Sequence, residues 1–555
     1  MKLQITLQSF LLTGSGEGSA LIDTDIVFDK DGFPFIPARR IKGMLKESMT
    51  EVMEMKGEPE CKIEEDVIKF FGKEGDEKNS GRLLFKNYYL SEVSKENLPD
   101  LKKKHPFAFA PENIRKFFTA EIHQTALQDE VAKDTSLRNY RVIKPFIANG
   151  KAICFEGVIN GNETLAENEK ALLKEAVLNF RYAGTRRNRG FGKVSCRLDN
   201  SSSNDTNFSK AALGSNNAVI ESGDASTLQV TNNEVFVQIK TLSPVVLAMQ
   251  LGEKNTVLTE KVFNGNRLRG LLASQYIQAR NLANAHSDPA FKELFLTCEV
   301  CFEPLFYNNA KPLPLHIHSY KSKNTKLTEN EVNNEELVNI FNKPTEDEYE
   351  ITKTVGGTFI RQQNTFTAQK PDTTFFFHNS RPNRSAGRSE EDQDTGGIFY
   401  YEALDEGQTF AGCIKGPAKF LNELIKEVSK QKTAQAGRSR SAQYGEVEIT
   451  FTASPVSEAV EPDKNFTITH DIQPASEQQF LLTLQSPLLL LNKYGEPEAN
   501  KNTLLHYVNT ALNTSDITVE NAAAAFTIVE QYNSVWKSKS GKLPAYKEGS
   551  AFLLN

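Results

Sequence analysis

Apolar and polar residues alternate at three places along the chain, in KLQITLQSFLL (2–12), VFVQIKTLSPVVL (235–247) and QFLLTLQSPLLL (479–490), each ending around a serine. A period of two, or a near-continuous apolar run of this length, predicts a strand. Behind the first, Ile41, Met44, Leu45, Met49, Val52 and Met53 recur at helical spacing, with Pro37 near the first turn, where its missing N–H costs little. FNGNRLRGLLASQYI (263–277) repeats that helix, capped by Asn264 or Asn266. Each half then closes alike. NFRYAGTRRNRGFGKVSCRL (179–198) and KTAQAGRSRSAQYGEVEITF (432–451) both run glycine, basic cluster, aromatic-glycine and alternating strand. In between lie two comparable strand pairs, RNYRVIKPFIANGKAICFEGVI (138–159) and GGIFYYEALDEGQTFAGCI (396–414).

The order strand, helix, strands, helix, Gly-basic turn, strand therefore occurs twice. It predicts an α+β fold of tandem ferredoxin-like (RRM-like, βαββαβ) units with insertions. A doubly wound sheet fits less well, because its strands and helices would alternate regularly. The expected divisions are a first unit at 1–198, a Ser-, Asn- and Gly-rich polar linker at 199–233, a second unit at 234–453 and a partial third repeat at 454–555. The second unit carries a polar insertion at 321–355 with one short helix. The third shows helical stretches near 501–512 and 519–536 and no closing Gly-basic turn.

Composition narrows the function. With 65 Lys plus Arg against 71 Asp plus Glu and a net charge of −6, the chain cannot coat nucleic acid by bulk charge. Any polyanion contact must use local patches. A 39% hydrophobic and 25% charged composition excludes disorder throughout. Six cysteines in 555 residues are too few for a disulfide scaffold and point to a reducing compartment, with the cytoplasm as the expected location. The amino terminus alternates like a strand, without a cleavage site, and reads as mature protein. No apolar run reaches the roughly 20 residues that a bilayer requires, so no membrane contact is expected.

Local patches are present. A helix amino terminus favours acidic residues, yet Arg39, Arg40 and Lys42 occupy the first turn of one helix and Arg267 and Arg269 that of its counterpart. Free N–H groups with two or three cations make a phosphate site; a solvated basic face is the alternative. In the closing loops, Gly184, Gly190 and Gly192 allow close backbone approach, Arg186, Arg187 and Arg189 supply charge, and Phe191 offers a stacking surface. Gly437, Arg438, Arg440, Tyr444 and Gly445 are their counterparts, and a tight soluble turn is the alternative for both. Neither loop ends in the Gly-Lys-Ser/Thr of a P-loop. GSGEGS (14–19) leads into extended chain and not a helix, so it reads as a flexible turn and not a dinucleotide site. Asp23 and Asp25, between that turn and the basic helix start, could hold a divalent ion or help activate a nucleophile. Cys298 and Cys301 with His316 and His318 have the wrong histidine spacing for zinc and are expected to be buried cysteines beside a loop, so no metal ligand is assigned. His378, after three phenylalanines and before Arg381, is the histidine best placed for RNA.

IDTDIVFDKDGFPFIPARRIKGMLKE (22–47) with YAGTRRNRGFGKV (182–194) resembles the RAMP superfamily of CRISPR effector subunits. NGNRLRGLL (264–272), HNSRPNRSAGR with GGIFYYEAL (378–404) and AGRSRSAQYGEV (436–447) extend the resemblance to both halves, and the whole looks most like the large RAMP subunit of type III-D complexes. The resemblance implies RAMP domains that hold CRISPR RNA and present it to a complementary target RNA within a complex of other subunits. It also implies a metal-dependent cut of target RNA at an Asp before the Ile-Pro motif, which falls on Asp23 first and Asp25 second, with Mg or Mn needed only if RNA is cleaved. A CRISPR RNA processing endoribonuclease and a scaffold without RNA are the alternatives. The first wants a histidine in the amino-terminal domain, where the earliest is His105.

Overall fold

The computed structural model describes residues 1–555 apart from 17, 19–20, 73–80, 92, 94–96, 129–130, 134–135, 148, 162–164, 200–227, 250–255, 321–333, 343–351, 363–364, 380–397, 441–442, 455–464, 469–478, 531, 534–537 and 540. Most of the expected linker, and much of the expected insertion, lie outside the described residues.

In the first unit, β1 (Lys2–Leu7) turns Leu3, Ile5 and Leu7 into the core, as its alternation demands. There follow α1 (Ala38–Met55), β2 (Leu83–Phe85), β3 (Tyr89–Leu90), β4 (Thr119–Gln124), β5 (Arg138–Ile143), β6 (Cys154–Gly161), α2 (Glu167–Asn179) and β7 (Val194–Asp199). β1 lies between β6 and β7, antiparallel to both, with β2 and β3 beyond β6. α1 buries Ile41, Leu45, Met49 and Val52 and packs on α2, where Ser48 Oγ donates to the Ala176 carbonyl at 2.7 Å.

The second unit repeats this. Its elements are β8 (Glu234–Thr241), α3 (Gly265–Arg280), β9 (Cys301–Phe302), β10 (Phe306–Tyr307), β11 (Thr373–Asn379), β12 (Ile398–Leu404), β13 (Thr409–Lys415), α4 (Ala418–Val428) and β14 (Glu446–Thr452). β8 lies between β13 and β14, and β9 and β10 lie beyond β13. Each unit has its own hydrophobic core.

The third comprises β15 (Phe480–Thr483), α5 (Lys501–Leu512), β16 (Val519–Ala523), β17 (Phe526–Val529), β18 (Leu543–Tyr546) and β19 (Ala551–Leu554), with β19 between β15 and β16. That is the order of β1, β6 and β2 again. Among the described residues no fourth strand flanks β15.

Three expectations are corrected. The described residues of 519–536 form strands and no helix, because pairing of β16 with β19 and of β17 with β18 outweighs the helix preference of the alanine run. In each expected strand pair only the second member, β6 or β13, enters the sheet. The first, β5 or β12, pairs with β4 or β11 in a long hairpin outside it, and the sheet's second strand is supplied by the short β2–β3 and β9–β10 segments. In the insertion the expected short helix is the single 3-10 turn Ile340–Asn342, and an unexpected strand, Asn334–Asn339, precedes it. Its sheet runs Lys311–Pro312, Thr358–Gln362, Thr365–Gln369, Asn465–Ile468, Asn334–Asn339, Ile317–Tyr320, Thr352–Thr354, so Asn465–Ile468 pairs with the insertion and not with the third unit.

Candidate nucleic-acid interface

The two closing loops share one hydrogen-bonded structure. Gly184 and Gly437 have φ of 77° and 76°, and a Cβ on either would press on a carbonyl oxygen, that of Leu12 or of Val246. The next amide binds the same carbonyl: Thr185 N–H donates to Leu12 at 3.0 Å and Arg438 N–H to Val246 at 2.9 Å. Ala183 N–H donates to the Gly192 carbonyl, and Ala436 N–H to that of Gly445, both at 2.7 Å. Between them, Arg186 and Ser439 sit in the left-handed region at φ 57° and 58°. This turn exposes Arg187, Arg189 and Gly190 in one loop and Arg438 and Arg440 in the other.

It also turns the aromatic residue inward. Phe191 is 5% exposed in the first core, and Tyr444 is 2% exposed against Tyr401, Phe376 and His378. The stacking surface expected of Phe191 is therefore absent. Each loop has an aromatic seat under an arginine: Arg186 lies 4.2 Å over the Tyr140 ring of β5, and Arg438 5.4 Å over the Tyr401 ring of β12. The hairpins β4–β5 and β11–β12 are thus repeated parts as well.

The helix starts correspond too, with one difference. Pro37 precedes α1, whose first turn has no acidic residue, and Ala38 N–H donates to Asn87 Oδ1 at 2.9 Å. At α3, Asn264 caps the helix by accepting from Arg267 N–H at 3.0 Å. Arg40 donates to the Gly14 carbonyl, and Arg267 donates to that of Ala248 at 2.7 Å. Gly14 and Ala248 are matching positions, bridged to Ile26 and Thr259 respectively. Arg267, however, also donates to both oxygens of Glu260 at 3.1 Å, which cancels its charge. In the first unit burial, then Arg39, pulls Arg40 down to about 10, and burial, then Lys46, pulls Lys42 down to about 8. Cations depressed in this way at a helix amino terminus favour an arriving anion. Arg269 is exposed.

The units meet at this place. Arg39 donates to His378 Nδ1, and since a guanidinium only donates, Nε2 carries the ring proton and donates to the Tyr444 hydroxyl at 2.8 Å. His378 is 2% exposed and stacked on Phe399. It anchors the second hairpin to the first helix start and does not offer itself to RNA, a correction to its expected role. The Phe377 ring fills the space where Gly16 lacks a Cβ, so this end of the GSGEGS turn serves packing. Lys86 and Glu446 join the units again at 2.6 Å. Arg381 lies outside the described residues.

Residues 4–195 match the RAMP superfamily. The match runs from β1 into β7 and takes in the first closing loop, helix start and hairpin. Solved structures of type III-B Cmr-beta are similar to part of the chain. One, bound to cognate target RNA, shares 18% identity over 36% of this chain, with a TM-score of 0.25. This chain spans 58% of that one's length. The other, in the apo state, shares 13% identity over 36% of this chain and 97% of its own, with a TM-score of 0.26. No curated protein sequence matches the chain.

In the RAMP-matching unit the acidic loop runs beside β5. Asp25 accepts from Ile26 N–H at 2.7 Å and from Arg141 Nη1 at 2.6 Å, so its charge is answered. Asp23 stays exposed and accepts from Asn139 N–H at 2.7 Å. Asn139 Nδ2 donates to the Leu21 carbonyl at 2.9 Å, which turns its Oδ1 toward His123 Nδ1 at 2.7 Å. His123 Nδ1 therefore carries the proton and Nε2 is an acceptor. The link from His123 to Asp23 depends on the pairing of β4 with β5, which no spacing in the sequence reveals. With Asp25 tied to Arg141, and no group of three or more His, Cys, Asp or Glu converging among the described residues, the side chains do not fit a preformed divalent site.

Cys298 and Cys301 are exposed and not buried as expected, because they lie in a surface turn before β9 and in its first residue. His316 is buried, stacked on Phe341, and burial, then His318, pulls its pKa down to about 4. Among the described residues no helix is long and apolar enough to cross a membrane.

Proposed function

We propose that this chain is a CRISPR RNA-binding subunit of a type III effector complex, built on tandem ferredoxin-like units and most like the large RAMP subunit of type III-D systems. Its partners are CRISPR RNA, complementary target RNA and other subunits of the complex, in the cytoplasm. The observation that carries the reading is the doubled closing loop, which presents Arg187 and Arg189, then Arg438 and Arg440, from one backbone scaffold in two units tied together at Arg39. Strand orders centred on β1 and β8 support the ferredoxin-like assignment. A strand of RNA follows these guanidiniums and the start of α1, with phosphates as the main contacts. Replacing Arg186, Arg187 and Arg189 together by Ala should abolish copurification of a small RNA of uniform length while circular dichroism stays unchanged. Undiminished RNA in that variant refutes the loop assignment.

One observation favours processing endoribonuclease as a second reading: His123, its ring oriented by the same Asn139 that donates to Asp23. His123 would take the proton of a ribose 2′-hydroxyl as its oxygen attacks the adjacent phosphorus. The bond to the 5′ oxygen breaks, that oxygen takes a proton from solvent, and a 2′,3′-cyclic phosphate remains. RNA incubated with the protein in EDTA should then acquire cyclic phosphate ends that His123→Gln abolishes. Intact RNA in that assay retires this reading and leaves the first standing.

A further inference from the structure

Between β3 and β4 the first unit carries two short helices, Leu98–Lys104 and Pro111–Phe118, where the second unit has strands of the insertion sheet. Their inner side is accounted for. Leu98 and Ile114 close a small separate core on Phe33, with Phe109 and Phe118 packed against it, and Pro111 sits on Gly32, where a Cβ would meet its carbonyl oxygen at 2.4 Å. Lys102 pairs with Asp31, and Arg115 lies over the Phe28 ring. The outer side has no such explanation. Phe107, in the turn between the helices, is 83% exposed, and Phe117 is 52% exposed. Asn113 and Phe117 stand one helical turn apart on one face, and Asn113 Nδ2 donates to the Phe107 carbonyl at 2.6 Å, so both residues flank Asn113.

Cations accompany the two rings. Lys103, Lys104 and Lys116 are exposed and pair with no carboxylate among the described residues. Lys144 Nζ donates to the carbonyls of Lys116 and Phe117 at 3.3 and 3.0 Å, which brings a further ammonium to the end of the second helix. Residues 98–118 hold five Lys and Arg against two Asp and Glu, in a chain whose net charge is −6. Cations in the last turn of a helix complement its dipole, which accounts for the place of these lysines and not for the exposed rings beside them. Aromatic faces among free ammoniums suit single-stranded nucleic acid, with bases stacked on the rings and phosphates held by charge. A protein partner fits less well, because the cores of protein interfaces are depleted in lysine. We propose that the outer side of these helices is a stacking platform for single-stranded RNA, with Phe107 and Phe117 taking bases and Lys103, Lys104 and Lys116 taking phosphates. The inference rests on the RNA-binding reading above and adds a contact outside the repeated loops and helix starts. Through Asp31, Gly32 and Phe33 the platform is anchored on the segment between Asp23 and α1.

The test uses the full chain with its copurified RNA and, as probes, labelled oligouridine and a labelled RNA complementary to the copurified strand. Phe107→Ala with Phe117→Ala should weaken oligouridine binding by at least about tenfold in fluorescence anisotropy. Copurified RNA should change by less than about twofold, because the closing loops are intact. Phe107→Trp with Phe117→Tyr should keep the affinity. Lys103→Gln, Lys104→Gln and Lys116→Gln together should lower the log–log salt slope by about 2, and this variant serves if the alanine pair does not fold. Ultraviolet crosslinking names the source: adducts on Phe107 or Phe117 from the complementary RNA assign the platform to the target strand, and adducts from the copurified RNA assign it to the guide. Unchanged affinity in a folded alanine pair, or an unchanged slope in the lysine variant, overturns the platform and leaves the RNA-binding reading standing. Unchanged RNA affinity with loss of a protein subunit from the purified complex gives this face to a protein and also overturns the platform. A wild-type chain that copurifies with no RNA and binds neither probe overturns both.

Discussion

Lys42 gives the sharpest test of the helix start as an anion site. Its ammonium is pulled from 10.5 to about 8, by burial first and by Lys46 second. A phosphate at the start of α1 adds a negative charge beside the ammonium and returns the group toward its ordinary value, so binding takes up a proton wherever Lys42 in the RNA-free chain has lost one. RNA affinity should be level below about pH 8 and then fall by up to tenfold per pH unit, reaching a loss of about 30-fold by about pH 9.5. Folding stability should move the other way. The folded pKa lies below the unfolded one, so the unfolded chain holds more protons between about 8 and 10.5, and stability rises with pH there by at most about 3 kcal/mol. Fluorescence anisotropy of a short labelled RNA at fixed ionic strength measures the affinity, and urea unfolding measures the stability. Lys42→Arg should keep the affinity and lose the slope, because a guanidinium stays protonated throughout. A wild-type curve that is flat between about pH 7 and 9.5, or a slope that persists in Lys42→Arg, refutes the reasoning.

Other predictions concern the loops and their anchors. Gly437→Ala forces an alanine to φ 76° against the Val246 carbonyl and should lower stability by roughly 1–2 kcal/mol or more, read as a shift in the urea midpoint. His378→Ala empties an aromatic seat and frees Arg39; we expect a loss of about 2–3 kcal/mol and faster proteolysis at the seam. Arg40→Gln should reduce the salt dependence of RNA binding by about 0.7 in log–log slope, whereas Arg267→Gln should leave it unchanged and Glu260→Gln should increase it. Asp23→Ala should leave RNA retention intact and remove one cleavage position from any ladder that the assembled complex produces on target RNA; an unchanged ladder assigns Asp23 to the loop alone.

Much of the fold was legible because its signals are local. Glycine at positive φ and a basic cluster followed by aromatic-glycine mark both closing loops, and the apolar spacing of 41–53 marks α1. The hairpins were not legible as hairpins. β5 and β12 alternate just as a sheet strand does, and periodicity does not say which partner a strand takes. The two-residue segments β3, β9 and β10, which pair at the sheet edge, are too short to show a period at all. At the candidate site, charge was legible and exposure was not. Phe191 and Tyr444 sit one residue before the last glycine in both loops, yet only the turn's geometry shows that their rings face inward. Glu260 and Arg267 stand seven residues apart, and their pair of hydrogen bonds follows from the cap at Asn264, which sets where the guanidinium lies.

That pair sets this chain apart from an assembly of identical subunits. In a homo-oligomer any substitution appears at every copy, so a cation cannot be silenced at one position and kept at the next. Here the repeats share a polypeptide, and Glu260 quiets Arg267 while Arg40 keeps its charge at the matching position. Covalent fusion thus breaks a symmetry that the backbone otherwise preserves hydrogen bond by hydrogen bond, and on the proposed RNA-binding function it would give a bound strand a direction: a strong end and a weak end.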